Sequence, residues 1–263
     1  MTPDPRTITW IASYPKSGNT WLRFLACNLL FGRQESAAAL NQLVPDVHEL
    51  RQDDPLPATR QVLKTHFSTE RLKSVLPKTA AAVYIVRNPA DVMLSNFHYL
   101  QRGGDASTTL SEYVEAFIAN RGAPVWIRAG MGSWEENVRG WWHGDLPFPV
   151  LKLRYEDMLA DPSAGARSLS ELLGVKSSDE DIERAVADSS FERLRQIEEA
   201  DIRAKRVSIF YKPTLQGPLD SGLRFMRSGK SGGAAEAFTG DHKARFMRAF
   251  GPLMRELGYP VDT

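Results

Sequence analysis

Lys64-Thr65-His66 sets an ammonium and an imidazole two residues apart at the end of residues 61–66, a run patterned as a short strand. Side chains two apart on a strand leave from one face, so the two groups point together. A neutral imidazole can take a proton from an attacking hydroxyl or amine, and a fixed ammonium beside it can steady negative charge. Near the amino terminus, Tyr14-Pro15-Lys16-Ser17-Gly18-Asn19-Thr20-Trp21 offers a place for an anion. The apolar residues 8–13 before it read as a buried strand, and Leu22, Leu25, Ala26 and Leu29 follow at helical spacing. A helix start presents unpaired N–H groups and the positive end of the dipole, so strand, loop and helix together form a phosphate cradle to which Lys16 adds a full charge. The loop departs from the nucleoside-triphosphate pattern: Asn19 stands where lysine is usual, and residues 4–13 contain no glycine. Taken alone, the octet also fits a plain strand-to-helix turn with Lys16 in solvent.

The elements that position these groups follow from pattern. Residues 80–86 form a β-rich apolar run ending at Arg87; Asn88-Pro89 then supplies an N-cap and a first helical residue, predicting a helix from Pro89 to about Leu100 that carries Ser95. Arg87 and Ser95 are candidates for a second anionic group. Helical patterns are read over residues 70–76, 110–120, 132–142, 156–173 with a break near Pro162, and 241–257; residues 148–153 read as a further strand. Alternating strands and helices predict an α/β fold with a central, mostly parallel sheet flanked by helices. Ligands of such sheets collect beyond the carboxyl ends of the strands, where His66, Arg87 and the first loop all fall. Residues 32–60 read as an irregular excursion and residues 200–233 as a weakly patterned stretch, either a flap or disordered. His48, His98, His143 and His242 lack the setting of His66.

The chain has 263 residues, 42% of them apolar, and residues 1–263 are expected to form one domain. A formal charge of +1 provides no global field for nucleic acid or an anionic membrane, so the anion site must be local. Cys27 is the single cysteine; it excludes an internal disulfide, and its apolar neighbours argue against a nucleophile. No apolar run has the length of a membrane span, and residues 1–7 lack the regions of a signal peptide, so a cytoplasmic protein is expected. No ligand-spaced His/Cys/carboxylate cluster occurs, and no metal is expected.

The octet, Lys64-Thr65-His66, and Val83-Tyr84-Ile85-Val86-Arg87-Asn88-Pro89-Ala90-Asp91-Val92 with Ser95 together resemble the cytosolic-type sulfotransferases, whose donor is 3′-phosphoadenosine 5′-phosphosulfate (PAPS). Leu153-Arg154-Tyr155-Glu156-Asp157-Met158 and Ser189-Ser190-Phe191 resemble further family segments in the same order, over residues 8–238. The resemblance implies a P-loop-like three-layer fold. It implies that Lys16, Ser17, Gly18, Asn19 and Thr20 hold the 5′-phosphosulfate, with Lys16 beside the bridging oxygen. Arg87 and Ser95 would bind the 3′-phosphate, a task arginine suits by charge and fork geometry. Trp21 and Phe191 would flank the adenine, with Tyr155 at its edge and Ser190 adjoining. His66 would be the general base and Lys64 the partner of the sulfuryl oxygens; with less charge on a sulfuryl than on a phosphoryl group, fixed lysines take the place of magnesium.

Phe225-Met226-Arg227-Ser228-Gly229 resembles the family's Arg-Lys-Gly segment with Ser228 in place of lysine, and Ala234 stands where tryptophan is usual. Arg227 and the Gly229 backbone are expected to reach the 3′-phosphate, while the role of the family's lysine either goes unfilled or passes to Lys230; without the family, the stretch reads as a flexible loop. The family's dimer signature is not recognisable after Phe238-Thr239, which leaves a homodimer open. Two rival functions remain compatible with the sequence: a small-molecule kinase using Glu156 or Asp157 for magnesium, and a nucleotide binder without catalysis. The acceptor is expected to be a small molecule. Phe67, Phe97, Trp126, Trp134, Trp141, Trp142 and Tyr211 either line an apolar pocket, favouring a phenol, steroid-like alcohol or lipophilic metabolite, or belong to the core.

Overall fold

The computed structural model describes residues 6–49, 61–104, 107–215, 220, 222–234 and 237–261. Four short apolar runs become the strands β1 (Ile8–Ala12), β2 (Gln61–Thr65), β3 (Thr79–Val86) and β4 (Val150–Arg154), all parallel, in the order β2-β1-β3-β4. Side chains alternate across β3: Ala82, Tyr84 and Val86 enter one apolar layer, Val83 and Ile85 the other. Both faces of the sheet are therefore covered, which is why the strands read as continuous apolar runs rather than alternating ones. One layer gathers Trp10, Phe117, Trp134, Trp141 and Phe250; the opposite layer gathers Leu22, Leu25, Leu169, Leu194 and Phe210. The result is the expected three-layer α/β arrangement with a central parallel sheet.

Among the described residues the α-helices are α1 (Asn19–Phe31), α2 (Leu40–Leu43), α3 (Pro89–Arg102), α4 (Leu110–Ala119), α5 (Pro124–Arg128), α6 (Trp134–Val138), α7 (Tyr155–Ala160), α8 (Pro162–Leu173), α9 (Asp179–Asp188), α10 (Phe191–Arg203) and α11 (His242–Glu256). Asn88 caps α3 by accepting the Ala90 N–H at 2.9 Å, and Asp161 caps α8 from Ala164 at 2.9 Å, which sets the break before Pro162. The helix expected over residues 70–76 is instead a series of turns closed by i to i+3 bonds, Lys73 N–H to Glu70 at 3.3 Å and Val75 N–H to Leu72 at 2.7 Å. It ends in a 3₁₀ turn, Leu76–Lys78, containing Pro77, which has no N–H with which to extend it. The helical pattern of residues 132–142 divides into α6 and a wider π turn, Arg139–His143. The excursion after α1 contains a 3₁₀ turn, Ala37–Ala39, and α2; residues 50–60 lie outside those described. In the 200–233 stretch, residues 200–203 complete α10, while 216–219 and 221 are outside the described residues.

Because β1 lies between β2 and β3, the chain leaves it first to one side and then crosses to the other, opening a crevice at the carboxyl edge. Cys27 is buried in α1, with burial pushing its thiol up to about 12, so it is an inert packing residue. No helix among the described residues is long and apolar enough to cross a membrane.

Candidate active site

Tyr14 anchors the loop after β1: its ring is buried and its hydroxyl accepts the Ala123 N–H at 2.8 Å. Lys16 and Gly18 then turn the chain through positive φ, 70° and 102°, to aim the start of α1 at the crevice. A methyl group on Gly18 would stand 2.6 Å from Cδ2 of Tyr155, so glycine is required there by contact as well as by backbone. Asn19 donates its side-chain amide to Ile11 O and Ser13 Oγ, both at 3.2 Å, sewing the loop to β1 and leaving only its main-chain N–H for an anion. Ser17 Oγ is buried with no partner among the described residues.

The residues that follow β2, β3 and β4 meet α3, α10 and residues 225–229 around one cavity of about 490 Å³. Lys16, Gly18, Asn19, Thr20, Trp21, Lys64, His66, Arg87, Ser95, Tyr155, Phe191, Arg227, Ser228 and Gly229 all line it. Arg87 lies 4.3 Å over the Tyr155 ring and donates to Lys16 O at 3.3 Å and Lys230 O at 2.9 Å; its Nε is buried without a partner among the described residues. Trp21 meets Tyr155 edge to face at 5.6 Å. Gly229, at φ 62°, lies against Phe191 so closely that a Cβ would be 2.4 Å from the ring. Ser190 and Ser17 are not in the lining: Ser190 Oγ caps α10 by accepting the Arg193 N–H at 3.3 Å. Lys230 meets the site through its carbonyl oxygen.

His66 follows β2 and is held at three points. Its Nδ1 is 2.8 Å from Ser13 O, so that nitrogen carries the proton and Nε2 keeps a free lone pair. Its main-chain N–H donates to His48 Nε2 at 2.8 Å, and its carbonyl accepts from Asn137 Nδ2 at 2.9 Å. Burial first, then the charge of Lys64, holds the imidazole well below its ordinary range and hence neutral. Lys64 shares the cavity with His66 and pairs with Asp46 at 2.8 Å. Lys16 Nζ lies 4.4 Å from the centre of the Tyr99 ring and 3.9 Å from that of Phe225. Burial, helped by Arg102 and Arg87, lowers its ammonium to about 7.

Several lining residues carry no signal in the sequence. His48, which lacks the strand setting of His66, nevertheless lines the cavity with its ring 5.7 Å from that of His66. Asp46, Glu49, Tyr99 and Arg102 join the same lining. Of the seven aromatics considered for an acceptor pocket, only Trp126 lines the cavity; Trp134 and Trp141 are core residues, and Trp141 Nε1 donates to Phe67 O at 3.0 Å. The carboxylates considered for a kinase are elsewhere occupied or averted: Glu156 accepts the Asn88 N–H at 3.0 Å and the Tyr259 hydroxyl at 2.9 Å, and Asp157 is exposed.

Residues 6–258 match the family model of the sulfotransferase domain. Human sulfotransferase 1C2 is 30% identical over 250 residues, covering 90% of this chain and 79% of that protein. Bovine sulfotransferase 1A1 is 28% identical over 247 residues, 87% and 77% of the two chains. The chain therefore belongs to the sulfotransferase family. Its fold is shared with mouse sulfotransferase SULT7A1 complexed with PAP, at a TM-score of 0.69 and 22% identity over 97% of this chain and 86% of that one. It is shared also with retinol dehydratase in complex with androsterone and inactive cofactor PAP, at 0.68 and 20% over 97% and 82%.

Proposed function

We propose that this sulfotransferase moves the sulfuryl group of PAPS to a hydroxyl or amine of a small, partly apolar acceptor, with His66 as general base and no metal. The observation that carries the reading is the tautomer imposed on His66: Nδ1 is committed to Ser13 O at 2.8 Å, so the basic Nε2 is the atom left for an acceptor proton, in the cavity that also holds Lys16 and Lys64. The donor fits the residues present. Two buried donors without partners among the described residues are Arg87 Nε, on a lining residue, and Ser17 Oγ, between the lining residues Lys16 and Gly18, and the first residues of α1, Asn19, Thr20 and Trp21, line the cavity at the helix end where N–H groups are unpaired. Arg87, Ser95 and Arg227 would hold the 3′-phosphate, the α1 loop the 5′-phosphosulfate, and Trp21, Tyr155 and Phe191 the adenine. PAPS supplies a sulfuryl group already activated by a phosphate leaving group. Lys16 would neutralise charge on the bridging oxygen, and Lys64, oriented by Asp46, would face the sulfuryl oxygens.

Replacing His66 by alanine is expected to preserve affinity for PAP while lowering turnover of labelled PAPS by about 10²–10⁴-fold. Turnover near that of the parent would remove His66 from the role. The same assay in excess chelator tests the metal-free expectation: activity lost there and restored by magnesium would refute it.

A further inference from the structure

Arg102, the last residue of α3, is only 3% exposed, yet it lines the cavity. Its guanidinium carbon lies 5.8 Å from the centre of the Phe225 ring, the same ring that Lys16 Nζ approaches to 3.9 Å, so the two cations border one aromatic wall of the cavity. Nη2 donates to Phe210 O, and Nε is buried with no partner among the described residues. The carboxylate whose charge reaches it, Glu198, already has both oxygens bound, by the Phe225 N–H at 2.6 Å and the Met226 N–H at 2.8 Å.

The other charges of the lining are accounted for. Its two acidic residues face lysines, Asp46 with Lys64 at 2.8 Å and Glu49 with Lys212 at 3.7 Å. Arg23 donates to Val44 O at 2.8 Å, and Lys16, Arg87 and Arg227 are assigned above to the donor. Arg102 has no carboxylate in contact with it among the described residues: Glu198 offsets its charge from a distance and leaves its Nε–H unused. A buried guanidinium with an unused N–H recognises an oxyanion by charge-assisted hydrogen bonds, and leaving it unmatched costs more than leaving an apolar wall unmatched.

Building on the proposed sulfuryl transfer, we infer that Arg102 reads an anionic group on the acceptor: the preferred substrate is a hydroxyl or amine compound that also bears a carboxylate or another oxyanion. Tyr99, Leu100 and Trp126 contact its apolar middle, and His66 takes its nucleophile's proton.

Matched acceptor pairs with and without a carboxylate, such as para-hydroxyphenylacetate and para-ethylphenol within a wider panel of phenols and alcohols, test this with labelled PAPS. The parent is expected to favour the carboxylated members by about tenfold or more in kcat/KM, chiefly through KM, as sites built for a polar group do. Arg102→Met should bring that ratio to about one, while Arg102→Lys, which keeps the charge without the fork, should restore part of it. PAP affinity, measured by calorimetry, should stay within about threefold in both variants, since Arg102 is assigned to the acceptor. Turnover without a carboxylate preference, a ratio unmoved by Arg102→Met, or a PAP affinity that collapses with the substitution would each overturn the inference alone. Absence of turnover across the whole panel would overturn the transfer reading and this inference with it.

Discussion

Three bonds fix three different atoms of His66, and together they separate orientation from basicity. Ser13 sets the tautomer, His48 and Asn137 hold the main chain, and burial beside Lys64 keeps the ring neutral. The sign of the pH dependence follows. A base whose value is held well below 6.5 is lost only as pH falls through that lowered value, so the acid limb of kcat/KM should lie clearly below 6.5. Lys16, lowered to about 7, loses its charge as pH rises through that value, so kcat/KM for PAPS should decline above about 7 in the free enzyme. Bound donor anions restore the charge, and the basic limb of kcat should lie higher. A pH–rate profile checks both limbs; an acid limb at or above 6.5 would contradict the assignment. His66 and Lys64 were legible because strand spacing places them on one face. His48 and Asp46 were not, because they sit in an irregular excursion whose residues have no period from which a direction can be read.

α10 shows why an element can escape a hydrophobic pattern. Its buried face carries Leu194 and Ile197, but also Glu198 and Asp201, both fully buried. Each acid replaces packing with hydrogen bonding: Asp201 accepts from Ser36 Oγ at 2.8 Å and the Ala37 N–H at 3.1 Å, while Glu198 holds the main chain of residues 225 and 226. α9 is similarly rich in charge, and its readable signal is the cap, Ser178 with Asp181, rather than an apolar stripe. Glu198→Ala would leave two main-chain N–H groups without their acceptor, at about 1–3 kcal/mol for each one that stays buried. Thermal unfolding should move to lower temperature accordingly, and PAP affinity should fall with it because residues 225–229 are released. Unchanged PAP affinity in a folded variant would show that this anchorage has no bearing on the donor site. By contrast β1, β3, α1 and α3 were legible, since apolar runs, the Asn88-Pro89 start and the loop octet all agree on them.

At the scale of the molecule, segments between Pro15 and Gly229 line one cavity at the carboxyl edge of a four-stranded sheet whose two faces are closed by separate apolar layers. Chemistry and stability are thus built on different surfaces of the same strands. A ligand spanning several of these segments should stabilise all of them together: PAP at one hundred times its Kd should add about 2.7 kcal/mol. For a chain of this size that corresponds to a rise of roughly 5–10 °C in Tm. Adenosine 5′-phosphate at the same concentration should give a smaller rise, and Arg87→Ala should remove most of the difference between the two nucleotides. Equal shifts for both nucleotides in the parent would detach Arg87 from the 3′-phosphate.

The segment that brings Arg227, Ser228 and Gly229 to the cavity is tied at both ends by carboxylates of neighbouring helices. Glu198 takes the Phe225 and Met226 N–H groups, at 2.6 and 2.8 Å, and Asp91 takes the Gly232 N–H and Ser231 Oγ, each at 2.8 Å. Three of these four donors are main-chain groups, which every residue except proline possesses. The route of the segment is therefore written in α3 and α10, and a side chain that takes no part in these ties, such as that of Ser228, can be exchanged without rerouting it, whereas Gly229, at positive φ against the Phe191 ring, cannot. Ser228, where the family segment it resembles has lysine, is one such exchange, made on a track that stays where it is.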